Sequence, residues 1–299
     1  MSRCLITGGT GLIGAQLVRE LCQDYEVYVL SRKSNVFRRL FQSLPVRLVE
    51  GDLSSSNGLE NLPSEVEMII HLAQSEHFRN FPSRAEHMFQ VNTASVVKML
   101  DYAVNAKAKS FLHASTGGVY GSGNNPFSPD DPISLTPHLG FYPTTKLCAE
   151  LIAQSYQNFL NVITYRFFFV YGRGQQRHML IPRLVDNIIE GNPIHLQGKD
   201  GLSLNPIHVS DAVRMIKASM KLNRSETLNV AGKEILTLRN IAEIIGNHVG
   251  REPVFKEDHT SQPSSLIGDI EKTKKILEID PLVSFSQGVK DLIPETIQH

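Results

Sequence analysis

The chain of 299 residues has no charge excess: Lys plus Arg and Asp plus Glu both number 30. Without a basic surplus it offers no nucleic-acid surface, and no run of like charge marks a tail. Cysteine is scarce. Cys4, Cys22 and Cys148 are an odd set without Cys-x-x-Cys spacing, which argues against a disulfide framework and against a zinc site. They are expected to be small core residues in a reducing compartment, and no metal is expected. Long apolar runs are missing as well. Residues 162–171 come nearest, but Arg166 interrupts them and they are too short to cross a bilayer. The first residues run directly into a strand-like stretch with no leader pattern, so the expectation is a soluble, cytoplasmic protein without a membrane partner. There is no internal repeat and no low-complexity segment.

What is present is an ordinary globular balance, 41% apolar and 20% charged residues, with enough length for one large or two modest domains. Near the start, a short apolar strand at residues 4–6 runs into Thr7-Gly-Gly-Thr-Gly-Leu-Ile-Gly14, and a helical pattern follows at once. Glycines at 8, 11 and 14 suit a tight turn in which a pyrophosphate approaches bare backbone. The helix that begins at Leu12 and Ile13 then aims its N-terminus at the negative charge.

Strand-like and helix-like stretches alternate through the first half. Strands are predicted at residues 4–7, 26–31, 46–50, 68–71, 110–115 and 162–167, with helices at 12–23, 35–44, 86–106 and 144–158. Repeated strand–helix–strand units with continuously apolar strands predict a parallel sheet covered on both faces, with chemistry at the carboxyl ends of its strands. Beyond Gly172 the pattern loosens into helices at 179–190, 211–221 and 238–249 and strands at 194–196 and 227–230. The expected division is therefore a dinucleotide domain over 1–170 and a substrate region over 171–299, with 203–222 packing back on the first domain. Residues 121–140, with Pro126, Pro129, Pro132 and Pro137, form a long loop expected to wall the active site.

Tyr142 and Lys146 open the fourth predicted helix. Four residues apart, they share a helix face, and an ammonium beside a phenol lowers its pKa toward neutrality. Pro143 fits the first turn, where its missing N–H costs nothing. Ser115 and Thr116 end a predicted strand, where a hydroxyl can bond the same substrate oxygen. The pair alone also fits an ordinary helix surface; the glycine turn and the strand-end hydroxyl give it meaning.

On these features the chain resembles the extended short-chain dehydrogenase/reductases, the NAD(P)-dependent nucleotide-sugar epimerases and dehydratases. The resemblance runs through Thr7–Gly14, Gly51-Asp-Leu53, His71-Leu-Ala73, Val91-Asn-Thr93, Ser115-Thr-Gly-Gly-Val-Tyr-Gly121, Tyr142-Pro-Thr-Thr-Lys146, Arg166-Phe-Phe-Phe-Val-Tyr-Gly172 and His208-Val-Ser-Asp211. It implies a Rossmann-type doubly wound parallel sheet with a smaller C-terminal α/β substrate-binding region. It also implies that Gly8, Gly11, Leu12, Ile13 and Gly14 hold the pyrophosphate, that Asp52 and Leu53 flank the adenine, and that Leu72 and Ala73 line the ribose and nicotinamide. Thr116 falls on the catalytic hydroxyl with Ser115 its neighbour, Tyr142 on the acid/base, Lys146 on the group that tunes it and binds ribose, and Asn92 on the lysine's support. Plainer readings stand beside these: Asp52 as a turn residue, Asn92 as a helix cap or bend, His71 as a core histidine, Arg166 in an ion pair, and His208 with Asp211 tying a strand end to the next helix.

The chain also departs from the pattern. Its second strand ends in Ser31-Arg-Lys33 instead of an acidic residue, so Ser31 lacks the charged ribose contact while Arg32 and Lys33 suit a 2′-phosphate; NADP is expected over NAD. Gly117 and Gly118 stand where dehydratases of the family carry an acidic pair, which disfavours dehydration. Phe169 and Leu204 replace an asparagine and an arginine used for a sugar-nucleotide diphosphate, a loss for which Arg173, Arg177 and Arg183 are the candidates to compensate. The expected reaction is hydride transfer at a secondary alcohol or ketone carbon of a nucleotide-linked sugar, as an epimerase or 4-ketoreductase. The alternatives are NADPH-dependent reduction of a small non-nucleotide carbonyl, and a catalytically silent dinucleotide sensor. Pairing of the helices at 86–106 and 144–158 with those of a second copy would make a homodimer.

Overall fold

The computed structural model describes residues 1–55, 59–123, 125–134 and 139–295. In chain order its elements are β1 (Arg3–Thr7), α1 (Leu12–Leu21), β2 (Glu26–Ser31), α2 (Ser34–Phe41), β3 (Val46–Glu50), β4 (Met68–His71), α3 (Ala85–Phe89), a π-helical segment (Gln90–Ala94), α4 (Ser95–Asn105), β5 (Ser110–Thr116), a 3-10 turn (Gly117–Tyr120), α5 (Phe141–Gln154) and β6 (Asn161–Phe167). There follow β7 (Val170–Tyr171), α6 (Leu180–Glu190), β8 (Ile194–Gln197), β9 (Ser203–Leu204), β10 (Ile207–His208), α7 (Val209–Ser219), β11 (Glu226–Val230), β12 (Leu236–Thr237), α8 (Leu238–Val249), β13 (Phe255–Asp258), β14 (Ser265–Leu266), α9 (Glu271–Leu277) and α10 (Phe285–Gly288).

The chain divides into two compact units. One comprises Met1–Val119, Leu135–Arg166 and Lys217–Leu228; the other comprises Tyr120–Ser134, Phe167–Ile216 and Asn229–His299. The expected division puts a boundary near residue 170 with 203–222 returning to the first domain; in the structure Lys217–Leu228 belongs to the first unit and Tyr120–Ser134 to the second.

The principal sheet has seven strands in the order β3-β2-β1-β4-β5-β6-β11, and the pairs β1–β2, β2–β3, β1–β4 and β4–β5 are parallel. The order reverses direction between β1 and β4, which opens a crevice at their carboxyl ends. Strands read as continuous apolar runs because both faces are covered. Leu5, Ile69 and Phe111 are fully buried in a cluster with Val96, Met99 and Leu100 of α4 and Ala149 and Ala153 of α5. The opposite face meets α1, where a methyl group on Gly9 would collide with Val29 of β2 and approach Val18. Each large side chain buried this way contributes about 1.5–3 kcal/mol. The expected Rossmann-type α/β architecture is present.

One predicted helix differs. Residues 86–106 form two α-helices joined by the π-helical turn Gln90–Ala94. The side chains of that turn explain it. Asn92 Nδ2 donates to Thr145 Oγ1 at 3.1 Å, Thr93 Oγ1 donates to the Thr145 carbonyl at 2.9 Å, and Ser95 Oγ donates to the Val91 carbonyl at 2.7 Å. Inserting a residue into the turn aims Asn92 and Thr93 at α5, at the expense of regular i→i−4 bonding.

The second unit has its own core. Ile181, Leu184, Val185 and Ile188 of α6 pack with Ile241, Ala242 and Ile245 of α8 and with Phe285, all nearly or fully buried. Of the expected loop over 121–140, residues 124 and 135–138 lie outside the described residues. Within the rest, Phe127 exchanges backbone hydrogen bonds with Ile267 and Asp269, both at 2.8 Å, and its ring stacks on Tyr120 at 4.8 Å. Cys4 and Cys22 are buried as expected, but Cys148 is exposed, because its position on α5 faces solvent rather than the sheet. Among the described residues no helix is long and apolar enough to cross a membrane, and no group of three or more His, Cys, Asp or Glu side chains is arranged to hold a metal.

Candidate active site

Gly8 follows β1 at the point where the strand order reverses. Its φ of +69° is one that side chains disfavour, and a Cβ there would lie 2.7 Å from Leu72 C and Ala73 N after β4. The Gly11 amide closes the turn on the Gly8 carbonyl at 3.0 Å, and a Cβ on Gly14 would strike that same carbonyl. α1 then starts with Gly11 as its N-cap, without a side-chain cap and without an acid in its first turn. The first-turn amides, Leu12 and Ile13 among them, thus have no intrahelical partner. Bare backbone in close approach and open amide donors fit the pyrophosphate of a dinucleotide.

At the end of β2, Ser31 Oγ accepts the Lys33 amide at 3.2 Å. Arg32 and Lys33 both reach Glu76, each at 3.2 Å, and Arg32 lies 3.9 Å from Asp52. The basic turn is thereby internally neutralised. Asp52 Oδ1 accepts the Ser54 amide at 2.8 Å and the Ser54 hydroxyl at 2.7 Å, which makes it a turn residue, while Leu53 is buried.

The reactive groups gather where β5 meets α5. Gly140, with φ of +83°, precedes α5, so that Tyr142 sits in the first turn and Lys146 one turn further in. The Gly118 amide donates to Thr116 Oγ1 at 3.1 Å, and the Tyr142 hydroxyl donates to Gln74 Oε1 at 3.0 Å, with the Thr116 hydroxyl near enough to the phenol to favour its ionisation. Phe78 packs on the phenol with ring centroids 5.5 Å apart. Ser115 points the other way: its hydroxyl donates to Glu150, which Arg166 holds at 2.7 Å in a buried ion pair. The expected pair of hydroxyls is split because successive residues of a strand face opposite sides of the sheet.

The electrostatics differ from the expectation of a phenol eased by a neighbouring ammonium. Loss of hydration pushes Tyr142 up to about 12, with the Thr116 hydroxyl opposing. Lys146 is 1% exposed, and its Nζ donates to the Ala114 carbonyl at 2.7 Å. Burial lowers it to about 8, and the nearby Glu150 carboxylate partly restores it. Dehydration is the dominant influence at both groups. Asn92 accepts the Ser75 amide at 2.8 Å through Oδ1, while its Nδ2 bonds Thr145, so it braces the turn of α5 that carries Lys146. His71 is a core histidine: its nitrogens meet Thr7 at 2.9 Å and Ser95 at 3.3 Å, and burial lowers it to about 3.

In the second unit, Leu204 is fully buried in the core, and Phe169 takes φ of +45°, a conformation asparagine adopts more readily than phenylalanine. Arg177 pairs with Asp186 and Arg173 lies 3.6 Å from Glu295, while Arg183 is exposed. His208 Nδ1 meets Ser210 Oγ at 2.7 Å, and Asp211 accepts the Leu282 and Val283 amides at 2.9 and 2.8 Å.

Sequence reasoning missed Gln74, Phe78, Glu76 and Glu150. Only Glu150 left a readable signal, four residues beyond Lys146 on the same helix face.

A glycine cradle at the reversal of a parallel sheet, with a tyrosine and a lysine on the helix after β5, defines a dinucleotide-dependent α/β enzyme. The chain belongs to the NAD dependent epimerase/dehydratase family, whose model matches residues 4–231. It is 28% identical to an uncharacterized UDP-glucose epimerase, YtcB, of Bacillus subtilis (strain 168), over 97% of this chain and 96% of that protein. It is similar to the solved structure of MoeE5 in complex with UDP-glucuronic acid and NAD, 26% identical with a TM-score of 0.83 over 97% of each chain. It is also similar to DesIV, a dTDP-glucose 4,6-dehydratase from Streptomyces venezuelae with NAD and TYD bound. That match is 26% identical with a TM-score of 0.84, over 97% of this chain and 95% of the other.

Proposed function

We propose that this protein is an epimerase or 4-ketoreductase of a nucleotide-linked sugar, with hydride transfer at a secondary alcohol or ketone carbon. The observation that carries the reading is the gathering of the Thr116 hydroxyl, held by the Gly118 amide, and the Tyr142 phenol where β5 meets α5, with Lys146 one turn deeper. A bound nicotinamide supplies the hydride acceptor or donor. Tyr142 exchanges the proton of the substrate oxygen, so that no charge is left there, and Thr116 orients that oxygen. Lys146 offers an ammonium to the ribose and the phenol, while Asn92 braces its helix turn. Gly117 and Gly118 provide no acid to expel a hydroxide, which argues against dehydration. The relatives' names, which include UDP-glucuronic acid and UDP-glucose, support a nucleotide sugar over a free one.

Phe169 favours a second reading, reduction of a more apolar carbonyl compound, because an aromatic ring stands where a polar diphosphate contact is expected. For the dinucleotide, NADP is favoured by Arg32 and Lys33, provided that a 2′-phosphate displaces Glu76 from them. Residues 171–299 are assigned most of the substrate region, and the protein is placed in the cytoplasm. Val97 and Val104 of α4 and Cys148 and Leu151 of α5 are exposed apolar side chains on the two helices that would pair with those of a second copy, so a homodimer is expected by light scattering.

The test is a panel of UDP-, dTDP- and GDP-sugars with NAD and NADP, read by thermal shift and by reduced-nicotinamide absorbance. Stabilisation by a nucleotide sugar and turnover lost by about 10²–10⁴-fold in Tyr142→Phe, with cofactor binding retained, is the expected result. Unchanged turnover in Tyr142→Phe, or stabilisation by small carbonyl compounds alone, would overturn the reading.

A further inference from the structure

We propose that Gln74 is a positioning residue of the active site, whose side-chain amide holds the Tyr142 hydroxyl and governs which protonation state the phenol adopts. Gln74 lies three residues beyond β4, next to the Ala73 backbone that closes on Gly8. Its Oε1 accepts the Tyr142 proton at 3.0 Å. The Phe78 ring covers the phenol's flank, and the nearby Thr116 hydroxyl favours its ionisation. Tyr142 is thus a donor to Gln74, while Thr116 acts on it in the other sense.

The two partners act in opposite senses. A hydroxyl donating to the phenol oxygen favours the phenolate, whereas a carbonyl accepting its proton favours the neutral phenol. Gln74 therefore holds Tyr142 ready to give a proton. A half-turn of the amide presents Nε2 and reverses the preference, so that one side chain serves the phenol before transfer and the phenolate after it. When a substrate oxygen takes the Tyr142 proton, the Gln74 carbonyl is released beside the reacting carbon and becomes available to a neighbouring hydroxyl of the substrate. Of the charged groups on the neighbouring elements, Lys146 is bonded through Nζ to the Ala114 carbonyl, and Arg79 lies over the Phe78 ring at 5.1 Å.

This inference rests on Tyr142 being the proton-exchanging group, and its test reads Tyr142 directly, without turnover. The protein is labelled with ¹³Cζ-tyrosine, the Tyr142 resonance is assigned by its disappearance in Tyr142→Phe, and its shift is followed with pH, with and without NAD. Gln74 is exposed, so substitutions there do not burden the core. Gln74→Ala is expected to raise the Tyr142 ionisation constant about 3- to 10-fold, and Gln74→Glu, an anionic acceptor that cannot donate, to lower it by a similar factor. A purely structural role would move both variants in the same direction or neither. Identical titrations in the three proteins, or the same sign in both variants, overturn the proposal. Opposed shifts with no turnover on any nucleotide sugar would uphold it while overturning the substrate assignment.

Discussion

Arg166 of β6 grips Glu150 of α5 through Nε and Nη2, with contacts of 3.2 and 2.7 Å between side chains 5% and 1% exposed. The same carboxylate accepts the Ser115 hydroxyl from β5. One acid therefore joins two central strands to the helix that carries Tyr142 and Lys146. An isolated charge in such a place is costly, and the pair is tolerable because each partner satisfies the other.

Removing only the acid is expected to be worse than removing both charges. Glu150→Gln removes the negative charge that balances the buried guanidinium, with an expected loss of about 3 kcal/mol in urea unfolding. Glu150→Leu combined with Arg166→Met is expected to recover most of that loss, giving a coupling energy readable from a double-mutant cycle. A single variant within about 0.5 kcal/mol of the wild type would mean that water already reaches the pair.

If Arg32 receives a 2′-phosphate, as proposed, cofactor choice hangs on a competition for its guanidinium. Glu76 receives both Arg32 and Lys33, so a 2′-phosphate must replace a carboxylate that is already in place. Glu76→Gln is expected to tighten NADP about 10-fold while leaving NAD within about 2-fold, since only the phosphate gains from the released cations. Arg32→Ala is expected to weaken NADP by a similar factor and NAD little. Calorimetric titration with both dinucleotides decides the matter, and equal changes for the two would remove Arg32 from cofactor selection.

The central strands were legible because each of them, Met68–His71 for example, is buried on both faces and reads as an unbroken apolar run. The glycine turn was legible because bare backbone has no substitute in sequence. Other features depend on partners distant in the chain. The π-helical turn follows from bonds between Asn92, Thr93 and Thr145, which no periodicity reports. Gln74 is a loop residue whose meaning appears only when α5 brings Tyr142 to it. In the second unit, β7, β9, β10, β12 and β14 have two residues each, too few to show alternation. α9, Glu-Lys-Thr-Lys-Lys-Ile-Leu, buries only Thr273 and Leu277 and so lacks an apolar stripe. α10 did leave a signal in Ser284 and Gln287, spaced as the capping box they form.

The buried lysine makes a pH-dependent signature that needs neither substrate nor cofactor. Lys146 titrates near 8 in the folded protein, below its usual value of 10.5, because burial disfavours the ammonium. Between those two values the unfolded chain binds the proton that the folded protein has released. Stability must then rise with pH, since the unfolded state is the one that binds more protons. Below pH 8 both states are protonated and the full penalty of the buried ammonium applies; above about 10.5 both are neutral and it is gone. Tyr142 acts oppositely but later: held up to about 12, it leaves the folded protein protonated while the unfolded chain ionises near 10, so stability falls above that pH. Buried Cys4, its thiol pushed up from 9.0 to about 12, also lowers stability above about pH 9, but this contribution is common to wild type and a Lys146 variant, so the difference between them from pH 8 to 10 reports the lysine. Urea unfolding of wild type and Lys146→Met at pH 7, 8, 9 and 10 is expected to show the wild type gaining on the variant throughout that window. The gain should start at lower pH in Glu150→Gln, where the carboxylate that supports the ammonium is missing. Parallel curves for wild type and Lys146→Met would mean that the ammonium keeps its hydration, and with it an ordinary pKa.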